Sequence, residues 1–224
     1  MIYYNHDREV ITDLISYEPR SCFIMTQLGD PIPEEVKKIR KDLRTELNQR
    51  NIRELDANSY IKGKDFLNKI WRQLISVPMG VAIISENMKM PTIANIFYEI
   101  GVLNALGKET IVIKTKGTKI PSDFVRTEYI VYDRQFKRKI NKFLDQVIEL
   151  ADHYELLGEN LEANPLLTID YYKRAYLITG EEKFLKKTKE LLNENDFDNQ
   201  SKHFIKDFLS MEKRLKMKRK RERK

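Results

Sequence analysis

A single cysteine, Cys22, stands among 224 residues, which excludes a disulfide within the chain and a thiolate cage around a metal. The three histidines, His6, His153 and His203, lie far apart and in none of the spacings that hold zinc. Glycine is scarce as well, at 8 residues. No G-x-x-x-x-G-K-[ST] phosphate loop exists, because Gly107 and Lys108 are followed by Glu109 and lack the earlier glycine, and no G-x-G-x-x-G follows the first strand. No apolar run approaches the roughly 18 residues a membrane span needs. The opening, with Asp7, Arg8, Glu9 and Asp13, lacks the basic start and apolar stretch of a signal peptide. The expectation is a cytoplasmic protein with no metal, no cofactor and no membrane partner. A Cys–His nucleophile pair stays open, although Cys22 inside an apolar strand reads first as a small core residue.

What is present fits a globular chain with one core and an appendage: 41% hydrophobic and 33% charged residues, with a mean hydropathy of −0.56. The net charge of +7 is confined to one place. From Glu212 to Lys224 there are nine Lys or Arg and two Glu, while the other 211 residues hold 32 basic and 32 acidic side chains. The body is therefore neutral, and the tail MEKRLKMKRKRERK is the one strong electrostatic feature. It reads either as a nucleic-acid contact or as a solvated helix end.

Apolar runs and breakers alternate along the first 133 residues. CFIMT is β-prone and is followed by QLGDPIP, where glycine and proline force a loop. Val36, Ile39, Leu43 and Leu47 recur at helical spacing over Glu34 to Arg50, and a short strand is expected at Ile52 to Leu55. DFLNKIWRQLIS reads as a helix, GVAIIS as a strand buried on both faces, and TIANIFYEIGVLNALGK as an apolar helix closed by Gly107. TIVIK and EYIVYD complete five strands. Strands alternating with helices predict an α/β fold: a five-stranded parallel, flavodoxin-like (doubly wound) sheet over 1–134. From about 135 to 211 only helices are expected, a C-terminal all-helical appendage before the basic tail of 212–224. Within it, LLTIDYYKRAYLITGEEKFLKKTKELL resembles one tetratricopeptide-type hairpin, and it also fits helices packing on the sheet domain or on a second copy.

One acidic residue stands in an unusual place. On a helical wheel Glu99 neighbours Leu106, Leu103, Ile96, Val102 and Asn95, so a carboxylate falls inside an apolar face. Such a position is costly unless the group is paired or used. Pairing with a buried Lys or Arg, or a boundary position, would also explain it. In a parallel sheet the loops after the strands form the ligand crevice, and the helix of Glu99 follows such a strand.

The segment FYEIGVLNALGKETIVI resembles the aromatic-x-E-[IL]-G-x-x-x-A-x-G-K motif of the nucleoside 2-deoxyribosyltransferase-like proteins and their TIR-like nucleotide-binding relatives. CFIMT with its Gln27 to Gly29 loop, DFLNKIWRQLISVPMGVAIIS and KIPSDFVRTEYIVYD look like the same superfamily in the same order, over roughly 20–133. The resemblance implies that Glu99 is the nucleophile that attacks C1′ of a nucleoside, and that Asp65 helps the base to leave; Asp65 also reads as the N-cap of its own helix. Where the family ends its third strand with a ligand-binding acid, this chain has Ser85 with Glu86 beside it. The family's Asn-Pro-Asn-Val is replaced by MPTIANIF, in which Asn95 keeps part of that role.

In this reading, main-chain amides of Gln27, Leu28, Gly29 and Asp30 and of the turn before the Glu99 helix hold a phosphate or ribose hydroxyls. Tyr98 or Tyr60 stacks on the base, or belongs to the core. The resemblance implies a nucleotide- or nucleoside-binding protein that cleaves or transfers an N-glycosidic bond of a nucleotide, a nucleoside or NAD, and it allows a role as a prokaryotic defence effector. It also implies a homo-oligomer, because related pockets are often completed by a neighbouring subunit. The alternative is a non-catalytic nucleotide-sensing and interaction module, which Ser85 favours.

Overall fold

The computed structural model describes residues 3, 9, 11, 15–57, 66–120, 129–161 and 163–222, with the backbone alone for Phe66 and 211–222. The chain divides into two compact units, one of Arg20–Val147 and one of Met1–Pro19 with Ile148–Lys224.

In the first unit the apolar runs become strands β1 (Ser21–Met25), β2 (Arg53–Leu55), β3 (Met79–Ile84), β4 (Glu109–Lys114) and β5 (Tyr129–Val131). They form one sheet in the order β2-β1-β3-β4-β5, with every pairing parallel. The register runs Cys22 to Met79 through Met25 to Ala82, and Met79 to Glu109 through Ile84 to Lys114. Between the strands lie α1 (Glu34–Gln49), α2 (Phe66–Ser76) and α3 (Met90–Ala105). This is the doubly wound, flavodoxin-like arrangement. Every residue of β1 and β3 is buried, as central strands covered on both faces must be.

Local signals explain the helix bounds. In α1 the stripe Val36, Ile39, Leu43 and Leu47 is buried. Pro91 sits in the first turn of α3, and Gly107 takes φ 65° just past its end, the left-handed conformation that closes a helix at least cost for glycine. Lys108 N–H then donates to Leu103 O at 3.0 Å. Close packing of α3 on the sheet depends on Gly80, where a Cβ would lie 2.3 Å from Leu103 Cδ1 and 2.9 Å from Met25 Cε. The long helix α4 (Phe136–Asn160) contributes its first turns to this unit. There Asn141 Nδ2 donates to buried Glu46 at 2.9 Å, and Arg50 pairs with Asp145 at 2.7 Å.

The second unit holds α5 (Pro165–Thr179), α6 (Glu182–Glu194) and α7 (Asn199–Glu222) with the remainder of α4. Asn164 caps α5 by accepting from Leu167 N–H at 3.2 Å, and Gly180 at φ 71° ends it. The divide between units thus falls at 19/20 and 147/148. Residues from the chain's opening pack with the helices: Ile15 N–H donates to Asp207 at 3.2 Å, and the Tyr17 ring meets Phe208 edge-on at 6.0 Å. No helix among the described residues is long and apolar enough to cross a membrane.

Candidate functional site

The strand order reverses between β1 and β3, and an open parallel sheet binds ligands beyond the carboxyl ends of its strands at such a point. Both expected loop segments meet there. Thr26 Oγ1 reaches across to Ile83 O at 3.4 Å, tying the end of β1 to β3. Gln27, 8% exposed, turns its amide back on its own loop, with Nε2 donating to Gly29 O at 3.0 Å and to Pro31 O at 2.8 Å. Its Oε1 is buried without a hydrogen-bond partner among the described residues, an uncommon state for a polar atom in a folded chain. Leu28 is half-buried, whereas Gly29 and Asp30 are exposed.

Ser85, wholly buried at the end of β3, is the position where an acid was expected from the resemblance. The structure supplies a carboxylate there from another element. Glu35, in the first turn of α1, accepts from Ser85 Oγ at 2.6 Å and from Asn87 Nδ2 at 2.9 Å. Sequence reasoning missed Glu35, which reads as an ordinary acid in the first turn of an amphipathic helix. The signal that could have found it is the missing acid at Ser85 itself, which leaves a β3 terminus in want of a partner. Glu86 is exposed and lies against the loop after β4: its N–H approaches Thr115 Oγ1 at 3.5 Å, and a Cβ on Gly117 would sit 1.9 Å from Glu86 Oε2.

Glu99 lies nine residues along α3, about 13 Å by helical rise from the helix start. It sits at the margin of the apolar face, with Ile96, Ile100 and Leu103 buried and Asn95 and Tyr98 exposed. Burial pushes the Glu99 carboxyl up to about 7 from an ordinary 4.5. Among the described residues no hydrogen bond or ion pair reaches it. Tyr98 is outside the core, and its hydroxyl accepts from Trp71 Nε1 of α2 at 3.1 Å.

The structure therefore gathers the expected residues into two groups. Gln27 to Asp30, Ser85 and Glu86 stand at the sheet's carboxyl edge; Tyr98 and Glu99 stand on α3 near α2. No hydrogen bond among the described residues joins the groups. Asp65, Tyr60 and His6 lie outside the described residues. Cys22 is wholly buried and burial pushes its thiol pKa up, so it remains a core residue. His153 and His203 are exposed, and among the described residues no group of three or more His, Cys, Asp or Glu is placed to hold a metal ion.

In the helical unit a buried cation escaped the sequence reading. Lys173 Nζ donates to Asp170 at 2.7 Å and to Tyr3 OH at 3.0 Å, and Arg174 Nε donates to the other Asp170 oxygen at 3.0 Å. Burial alone would raise the Asp170 carboxyl, but Lys173 and Arg174 together pull it down to about 2.

Comparison with protein-family models and with curated proteins found no match.

Proposed function

We propose that the Arg20–Val147 unit belongs with the nucleoside 2-deoxyribosyltransferase-like proteins and cleaves or transfers the N-glycosidic bond of a nucleoside, nucleotide or NAD. The observation that carries this reading is Glu99: a carboxyl on an apolar helix margin, uncompensated by any cation among the described residues and raised to about 7 by burial. Structural acids seldom keep such an environment, whereas catalytic ones use it.

In the proposed reaction the C1′–N bond of the nucleoside breaks as the ionised Glu99 oxygen bonds to C1′, and the base departs with a proton from a second acid. By the resemblance, that acid is Asp65. A water or a second base then attacks C1′, and Glu99 leaves as carboxylate.

The test is base release from nucleosides, nucleotides and NAD, followed by chromatography. Native protein should release base, with kcat/KM rising with pH through about 7 as Glu99 ionises. Glu99→Gln should lose at least about a hundredfold. Release that survives Glu99→Gln would remove Glu99 from the chemistry. The second reading, binding without turnover, rests on Ser85 in place of an acid; it predicts ligand binding that Glu99→Gln leaves intact and no release from any substrate.

A further inference from the structure

The positive charge of this chain does not stop at the tail. Between α6 and α7 runs an open groove of about 700 Å³, lined by Lys183, Lys186, Lys189 and Lys206. Other lysines of this unit with described side chains are neutralised: Lys187 pairs with Glu155 at 2.8 Å and Glu159 at 2.7 Å, and Lys202 pairs with Asp196 at 2.8 Å. Lys183, on the groove's rim, reaches Glu155 at 2.6 Å. Lys186, Lys189 and Lys206 are exposed and have no ion pair among the described residues. Among the described residues Glu182 is the one acid that lines the groove.

The groove has a firm base. Leu192 and Leu209 line it and pack against the buried cluster of Ile169, Phe197 and Ile205. The backbone of α7 runs on past the groove to Glu222, and in the sequence residues 212–224 carry nine Lys or Arg against two Glu. Lysines recur at 206, 213 and 220, seven residues apart on one helix. From Lys206 to Glu222 that helix is about 24 Å long by helical rise.

We propose that the α6–α7 groove and the helix that extends it form a contact for the phosphate backbone of a nucleic acid. The occupant must be elongated, densely negative and able to enter a concave channel. A planar bilayer cannot enter a concave groove. Duplex DNA carries one negative charge per about 1.7 Å of axis, a density suited to a helix whose sequence holds nine Lys or Arg between 212 and 224. No aromatic side chain lines the groove among the described residues, so bases have no stacking platform and binding is independent of sequence. The site is separate from Glu99, and its failure would leave the glycosidic reading untouched.

The experiment measures fluorescence anisotropy of labelled single-stranded RNA, single-stranded DNA and duplex DNA of about 20 nucleotides with the full chain, across a salt series. Native protein should bind all three, with affinity falling linearly in log salt. The variant Lys186→Glu/Lys189→Glu/Lys206→Glu should bind at least about tenfold more weakly near 100 mM salt, with the salt slope reduced by about two. The milder Lys→Gln set should show a smaller loss in the same direction with unchanged circular dichroism and Tm. Unaltered binding by both variants would overturn the proposal, as would tighter binding to phosphatidylserine vesicles or to a polyglutamate peptide than to any oligonucleotide.

Discussion

A carboxyl that burial pushes up to about 7 costs the folded protein free energy whenever the solution ionises it. Below pH 4.5 Glu99 is protonated folded or unfolded, and its position costs nothing through charge. Between pH 4.5 and 7 the unfolded chain releases the proton while the folded one retains it, so stability declines as pH rises. Above pH 7 the full penalty applies, about 3 kcal/mol at about 1.4 kcal/mol per unit. Glutamine cannot ionise. Glu99→Gln should therefore gain stability relative to native protein from pH 4.5 to 8, by up to about 3 kcal/mol in urea unfolding. A difference that stays flat with pH would show that solvent reaches the native carboxylate.

Asp170 presents the opposite sign. Its carboxyl is lowered to about 2, so the pair contributes stability above pH 4 that is lost as pH falls toward 2. Removing the charge leaves Lys173, 8% exposed, without its carboxylate. Asp170→Asn should cost about 3 kcal/mol at neutral pH, and Asp170→Asn/Lys173→Met should recover most of it, because a buried pair is worth less than the cost of breaking it. If the double variant is as unstable as the single one, the pair is not what Asp170 stabilises.

At the scale of elements, the approach of α3 to β3 governs where Glu99 stands. Leu103 and Met25 fill the space above Gly80 and are themselves almost wholly buried, so a methyl group must displace α3 or distort β3. Gly80→Ala should destabilise by about 1 to 3 kcal/mol, and base release should fall further than the folded fraction does because α3 carries Glu99. Unfolding midpoints and release rates on the same samples separate the two effects. The edge loops rely on side chains instead: Gln27 satisfies the carbonyls of Gly29 and Pro31, and the Glu35 bonds to Ser85 and Asn87 join α1 to the end of β3.

For the whole molecule, the alternation of short β-branched runs with amphipathic helices was sufficient to read the parallel doubly wound sheet and the helices that follow. Those signals are local: CFIMT and GVAIIS are apolar on both faces because the strands they form are covered on both faces. The chain's opening was less legible, since Tyr3, Ile15 and Tyr17 bear no periodic mark of the helices they pack among. The same holds for charge. Composition located the surplus in 212–224, but only packing shows which lysines of the body are neutralised and which line a groove.

Sequence by itself determined the strands, the helices, the glycine that ends α3 and the anomaly at Glu99, because each follows from spacing within one element. Tertiary structure alone decided that Glu35 stands beside Ser85 across 50 residues, that Lys173 is buried against Asp170 and Tyr3, and that no cation among the described residues neutralises Glu99. Partnership between charged groups depends on distances of a few ångströms between segments remote along the chain, and no periodicity encodes those distances.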